Sequence, residues 1–200
     1  MLSEKDVESV VKHEVGHYIL NRYNNIVPTA IHFKYNSYDS LNGECEIQYN
    51  ICLDIFSEVS KLSYQRAMVL FAGAAAEFLN FESKKIDKRK AKLDFEEKEI
   101  SDNAKFSVHL ITYLICEEKI RSDPYPETLK ERIKNRIFNE VFETIEKYSE
   151  LIKIMTDYIL PKVIKEIGEG EVMISNDELN SITQLTAEFG KKNPSIWGFE

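Results

Sequence analysis

At 200 residues and 43% hydrophobic content, the chain can bury one sizeable core but is short for two large domains, so a single domain over 1–200 is expected. A net charge of -8 argues against a general nucleic-acid surface, although residues 84–92 are locally basic. Cys45, Cys52 and Cys116 form neither a CxxC pair nor a disulfide framework, which reads as reduced thiols in a cytoplasmic compartment; no run approaches the roughly 18 to 20 apolar residues of a membrane-spanning helix, so no membrane insertion is expected.

Ser3 followed by Asp6 resembles a capping box, and Val7, Val10, Val11, Val15 and Tyr18 recur at helical spacing, which predicts a helix over 4–23. After Pro28, Ile31, Phe33 and Tyr35 alternate with polar residues, as do Cys45, Ile47, Tyr49 and Ile51. With turn chemistry over 36–43 this predicts a β-hairpin. A second helix is expected over 63–81, its centre Ala72-Gly73-Ala74-Ala75-Ala76 small enough to admit a close neighbour, such as the first helix. The charged stretch 83–99 has few apolar anchors and reads as a solvated, partly helical excursion.

Ser101 is placed to cap a helix over 102–119 with Asp102 in its first turn. Beyond Pro124 and Pro126, a helix through Leu129, Ile133, Ile137, Val141 and Ile145 should pair with one carrying Leu151, Ile154, Tyr158 and Ile159, kinked at Pro161. Gly168 and Gly170 close that pair, 172–174 is a short extended piece, and Ser175 or Asn176 starts a last helix. The expected class is mainly α with minor β: a metal-site half over 1–120 and C-terminal helices over 127–190. With the chemistry only about a dozen residues from Met1, no upstream domain is expected.

The chemistry lies in His13-Glu14-Val15-Gly16-His17. Residues four apart share a helix face, so the two imidazoles can converge on one ion while Glu14 projects beside them. Zinc accepts imidazole nitrogen and carboxylate oxygen and, in catalytic sites, keeps a position for water; Glu14 would be the general base. A third protein ligand must come from elsewhere. The extension that would supply a third histidine soon after the pentad is missing, which leaves a downstream carboxylate. Glu77 and Asp94 are candidates, Glu77 also as a group that orients a ligand histidine or as a solvated helix-end residue. His32 and His109 lack a partner at ligand spacing and stay outside the expected site.

From about residue 7 to 188, the pentad helix, the hairpin over 31–51, the small-residue run Ala72–Glu77 and Ser101-Asp102 together resemble the peptidase domain of the FtsH-type AAA zinc proteases. The resemblance implies a zincin-like helical fold with a small hairpin and a C-terminal helical bundle. It also implies Zn2+ held by His13, His17 and Asp102, with Glu14 catalytic. Peptide or unfolded-protein substrates follow from it, with a homo-oligomer or a separate ATPase as partner. The chain departs from the family in lacking the TGA-ND run that marks the aspartate, a Walker A loop and an anchor, so ATP-driven unfolding is not implied. Two other readings stand beside the zinc endopeptidase: an inactive zinc-binding interaction module of the same fold, and a gluzincin-like hydrolase with a glutamate ligand. An exposed hairpin edge offers a place where an extended peptide could pair.

Overall fold

A computed structural model describes residues 2–37, 40–47, 56–97, 100–117, 126–166 and 170–190. The fold is mainly helical with a small antiparallel sheet. Helix α1 (Glu4–Tyr23) begins at the expected capping box: the Asp6 amide donates to Ser3 Oγ at 3.2 Å and the Ser3 amide to Asp6 Oδ2 at 2.9 Å. Strands β1 (Ala30–Ser37) and β2 (Ser40–Glu46) form the hairpin. The turn is tighter than the composition suggested, because Asn42 and Gly43 belong to β2, opposite Lys34 and Phe33. The outer part of the expected strand, 48–51, lies outside the described residues, as do Cys52, Pro124 and Gly168.

Helix α2 (Phe56–Glu77) starts earlier and ends earlier than its apolar pattern indicates, and Leu79–Asn80 (β3) pairs with Lys85–Ile86 (β4) in a separate short ribbon. The charged stretch is more ordered than expected. Within it α3 (Lys88–Glu97) buries Ala91 and Phe95, and the Phe95 ring lies 5.1 Å from Phe71 and 5.4 Å from Phe106, edge-on to both. Two apolar residues a turn apart are enough to anchor a short helix when a neighbour offers aromatic surface, a fact local composition does not reveal.

Helix α4 (Ile100–Cys116) includes Ser101 rather than starting after it, leaving Asp102 in the first turn as expected. Helices α5 (Pro126–Lys147) and α6 (Ser149–Lys165) follow; α6 continues through Pro161. Strand β5 (Glu171–Ser175) was expected only as an extended piece, but it joins β1 on the side opposite β2, giving the order β2-β1-β5. Helices α7 (Asn176–Leu179), capped by Ser175, and α8 (Thr183–Phe189) end the described chain. One cluster of buried side chains runs through α1, α2, the sheet and α4 to α6, with Phe71 stacked on Phe138 at 3.9 Å near its centre. Among the described residues no helix is long and apolar enough to cross a membrane.

Helices α1 and α2 run antiparallel at very short range, and glycine sets that range. A Cβ on Gly16 would lie 2.5 Å from Ala72 O and 2.7 Å from Ala76 Cβ. Gly16→Val should therefore force the helices apart and lower unfolding free energy by about 1–3 kcal/mol, as overpacked cores do. The check is a urea midpoint measured beside wild type; an unchanged or higher midpoint would show that the contact is not tight.

Candidate metal centre

Antiparallel packing brings α2 alongside the pentad in register. Glu77 sits beside Ser9 and His13, and Val69 beside His17, one partner for each ring. The His13 Nδ1–H donates to Glu77 Oε1 at 2.5 Å, and the His17 Nδ1–H donates to the Val69 carbonyl at 2.7 Å. Because carboxylate and carbonyl oxygens only accept, both protons are placed on Nδ1, and both Nε2 atoms are left for the other side of the rings.

On that other side stands Asp102, delivered by the first turn of α4. Its Oδ2 lies 3.5 Å from His13 Nε2 and 3.2 Å from His17 Nε2. The rings meet edge-on, 4.6 Å between centroids and 82° apart, so their Nε2 atoms converge on the aspartate without stacking. Asp102, the carboxylate that the resemblance implies as third ligand, thus faces both Nε2 atoms. Glu77 takes the outer position against His13, orienting the ring rather than facing Nε2. Asp94 is buried on α3 and does not line the cleft. His109 is two turns along α4 from Asp102, and His32 lies at the mouth between Glu46 and Glu171, at 3.3 Å and 3.6 Å.

Glu14 occupies the hairpin side of the site. It is 5% exposed, receives the Cys45 backbone N–H, and its Oε2 has no hydrogen-bond partner. Its carboxylate fits only because Gly43 has no side chain: a Cβ there would lie 2.4 Å from Glu14 Cγ and 2.6 Å from Oε1. A second glycine seats the His13 ring, since a Cβ on Gly73 would lie 2.4 Å from His13 Nε2. The small-residue run on α2 signals close approach of a neighbour, but not that an imidazole takes the space. Nothing in the sequence marks Val69, whose part is played by its backbone carbonyl.

The electrostatics follow from burying so many ionisable groups together. Burial pushes the Glu14 carboxyl up, against the pull of the two histidines. Burial would also raise Asp102, but the His13 and His17 imidazoles beside it hold it well below the usual carboxylate range. Glu77 is lowered in the same way, by His13 and Ser9 against burial. Burial opposes a charge on His13, yet the flanking Asp102 and Glu77 carboxylates win and raise its pKa well above the ordinary value.

Two imidazoles with fixed tautomers, a convergent carboxylate and an unpartnered buried Glu14 oxygen suit a divalent ion of the zinc type. The ligand atoms of His13, Glu14 and His17 lie within 4.8 Å of one another. The site opens into a cleft of about 920 Å3 walled by β2 on one side and by α2 and α4 on the other.

Gly73→Ala should keep the fold, as judged by its circular dichroism spectrum, while stoichiometric zinc uptake falls by about tenfold or more, since the His13 ring must swing aside; wild-type zinc content in this variant would refute the ring seat. The raised His13 pKa fixes a sign as well. The flanking carboxylates favour the charged His13 imidazole, so a divalent cation added at this site competes with that proton, and apparent affinity for added zinc should climb as pH rises. Calorimetry near pH 7 in buffers of different ionisation enthalpy should register proton release on zinc uptake, and proton-neutral binding would contradict it. Comparison with protein-family models, curated proteins and solved structures finds no match to this chain.

Proposed function

We propose that the protein is a zinc-dependent endopeptidase in which His13, His17 and Asp102 hold the metal and Glu14 is the general base. The observation that carries this reading is the convergence of both Nε2 atoms on Asp102, with one Glu14 oxygen, Oε2, unpartnered beside them. Further support comes from the order of the elements, pentad helix, hairpin, small-residue helix ending in Glu77 and aspartate-bearing helix, which is that of the FtsH-type peptidase domain. A site built only to retain metal needs the histidines and the aspartate, but has no use for a buried carboxylate with one oxygen unsatisfied.

When bound, zinc supplies a Lewis acid that polarises the scissile carbonyl and acidifies water. Glu14 accepts a proton from the water that attacks the carbonyl carbon. As the C–N bond breaks, Glu14 returns that proton to the departing amine nitrogen, so one carboxylate serves as base and then as acid. Its burial, which raises its pKa, makes it a better proton acceptor than an exposed glutamate. Substrate lies along β2: this strand is at the edge of the sheet and its Leu41 to Cys45 line the cleft, so an extended peptide can pair with it through main-chain hydrogen bonds. That mode favours peptides, flexible tails and unfolded segments, with assembly into a homo-oligomer or delivery by a separate ATPase as partner. Free Cys45 and Cys116 fit a reducing, cytoplasmic setting.

Zinc analysis joined to cleavage of casein or a peptide library tests the assignment. Glu14→Gln should retain zinc and lose about 10²–10⁴-fold in kcat, whereas Asp102→Ala should lose the metal. Stoichiometric zinc in wild type without any cleavage would instead favour a non-catalytic zinc-binding module.

A further inference from the structure

Besides the site's own carboxylates, the helical wall of the cleft carries two cations. Asp102, Glu77 and Glu14 are engaged with the histidines or with the Cys45 amide. The other charged residues that α2 and α4 contribute to the lining are Arg66 and Lys105. Lys105 is 62% exposed and reaches to 3.8 Å from Asp102 Oδ1. Arg66 lies one turn before Val69, the residue whose carbonyl holds His17, and therefore at the end of the cleft beyond His17. Its charge is felt on both walls: it opposes the effect of burial on the Cys45 thiol of β2 and adds to burial in lowering the pKa of His109 on α4.

The same end of the cleft contains Asn21, one helical turn past His17. Asn21 is fully buried, and its Nδ2 donates to the His17 carbonyl at 2.9 Å, but its Oδ1 has no hydrogen-bond donor. A buried amide oxygen without a donor is costly and ready for a ligand N–H. The other carboxylates of the lining, Glu44 and Glu171, stand on the sheet instead, with Lys34, and Glu171 lies 3.6 Å from His32. A peptide lying along β2 therefore has a guanidinium and an amide acceptor at one end of its path, and the pairing of guanidinium with carboxylate is strong and geometrically selective.

Resting on the peptidase reading, we propose that Arg66 is a specificity-determining residue and that the cleft selects peptides carrying a carboxylate close to the scissile bond. The carboxylate is supplied by an aspartate or glutamate side chain or by the chain terminus. In either case the acidic residue's own backbone N–H has Asn21 Oδ1 as its acceptor.

The test uses the full chain, zinc-loaded and carrying Glu14→Gln to prevent turnover, with decapeptide mixtures bearing a neutral fluorophore. Four mixtures are compared by anisotropy: glutamine-containing amides, glutamate-containing amides, lysine-containing amides, and glutamine-containing free acids. At least one carboxylate-bearing mixture should bind about tenfold more tightly than the glutamine amides, the lysine mixture should bind no better than they do, and the mixture that gains identifies the source of the carboxylate. Adding Arg66→Gln should abolish the preference, Arg66→Lys should keep part of it, and Lys34→Gln should leave it intact. Zinc content and thermal melting confirm that each variant is folded. Equal binding of all four mixtures, no binding of any, or a preference that survives Arg66→Gln overturns the proposal. Wild-type cleavage of the same mixtures separates the two readings: selective binding without hydrolysis sinks only the peptidase assignment, and hydrolysis of all mixtures at one rate sinks only the selectivity.

Discussion

The site depends on the close antiparallel contact of α1 and α2 at Gly16, where the backbone of one helix rests on the backbone and smallest side chains of the other. Only at that separation can α2 supply an acceptor to each histidine, Glu77 to His13 and the Val69 carbonyl to His17. Those two bonds choose the tautomer and aim both Nε2 atoms at Asp102. Two glycines finish the arrangement by leaving out a methyl: Gly73 where the His13 ring lies, and Gly43 where the Glu14 carboxylate lies. Small residues thus act in three places as space for something else, a helix, a ring and a carboxylate.

The cost of the arrangement is electrostatic. His13, Glu14 and His17 are largely withdrawn from water, with Glu77 and Asp102 close by, and one Glu14 oxygen has no donor. Buried charge is tolerated when paired, and the histidines and acids here pair with one another. The pairing is uneven, however. Three carboxylates face two imidazoles, which leaves the centre short of positive charge and gives a divalent ion a natural place. Arg66 and Lys105 are the cations that α2 and α4 contribute to the same cleft.

Much of this was legible in the residues. The capping box, the pentad helix, the hairpin and the C-terminal helices follow from local rules, because capping, periodicity and turn chemistry act over a few residues. Asp102 is different: its position at the start of α4 is local, but its approach to the imidazoles came only from resemblance. Sequence reasoning stopped short where long-range packing outweighs composition. The charged stretch forms α3 because Phe95 meets Phe71 and Phe106, and residues 171–175 become a strand because β1 offers an open edge.

By itself the sequence determined which helix carries the two imidazoles and the acid between them, since i and i+4 share a face whatever surrounds them. It also determined that the class is mainly helical. Only the tertiary structure decided that Glu77 stands behind His13 and Asp102 in front of both rings, that a backbone carbonyl orients His17, and that Gly73 and Gly43 are seats for other side chains. The reason is that a ring nitrogen's partner is selected by distance in space, and those distances arise from how α1, α2, α4 and the hairpin pack together, information that no local run of residues contains.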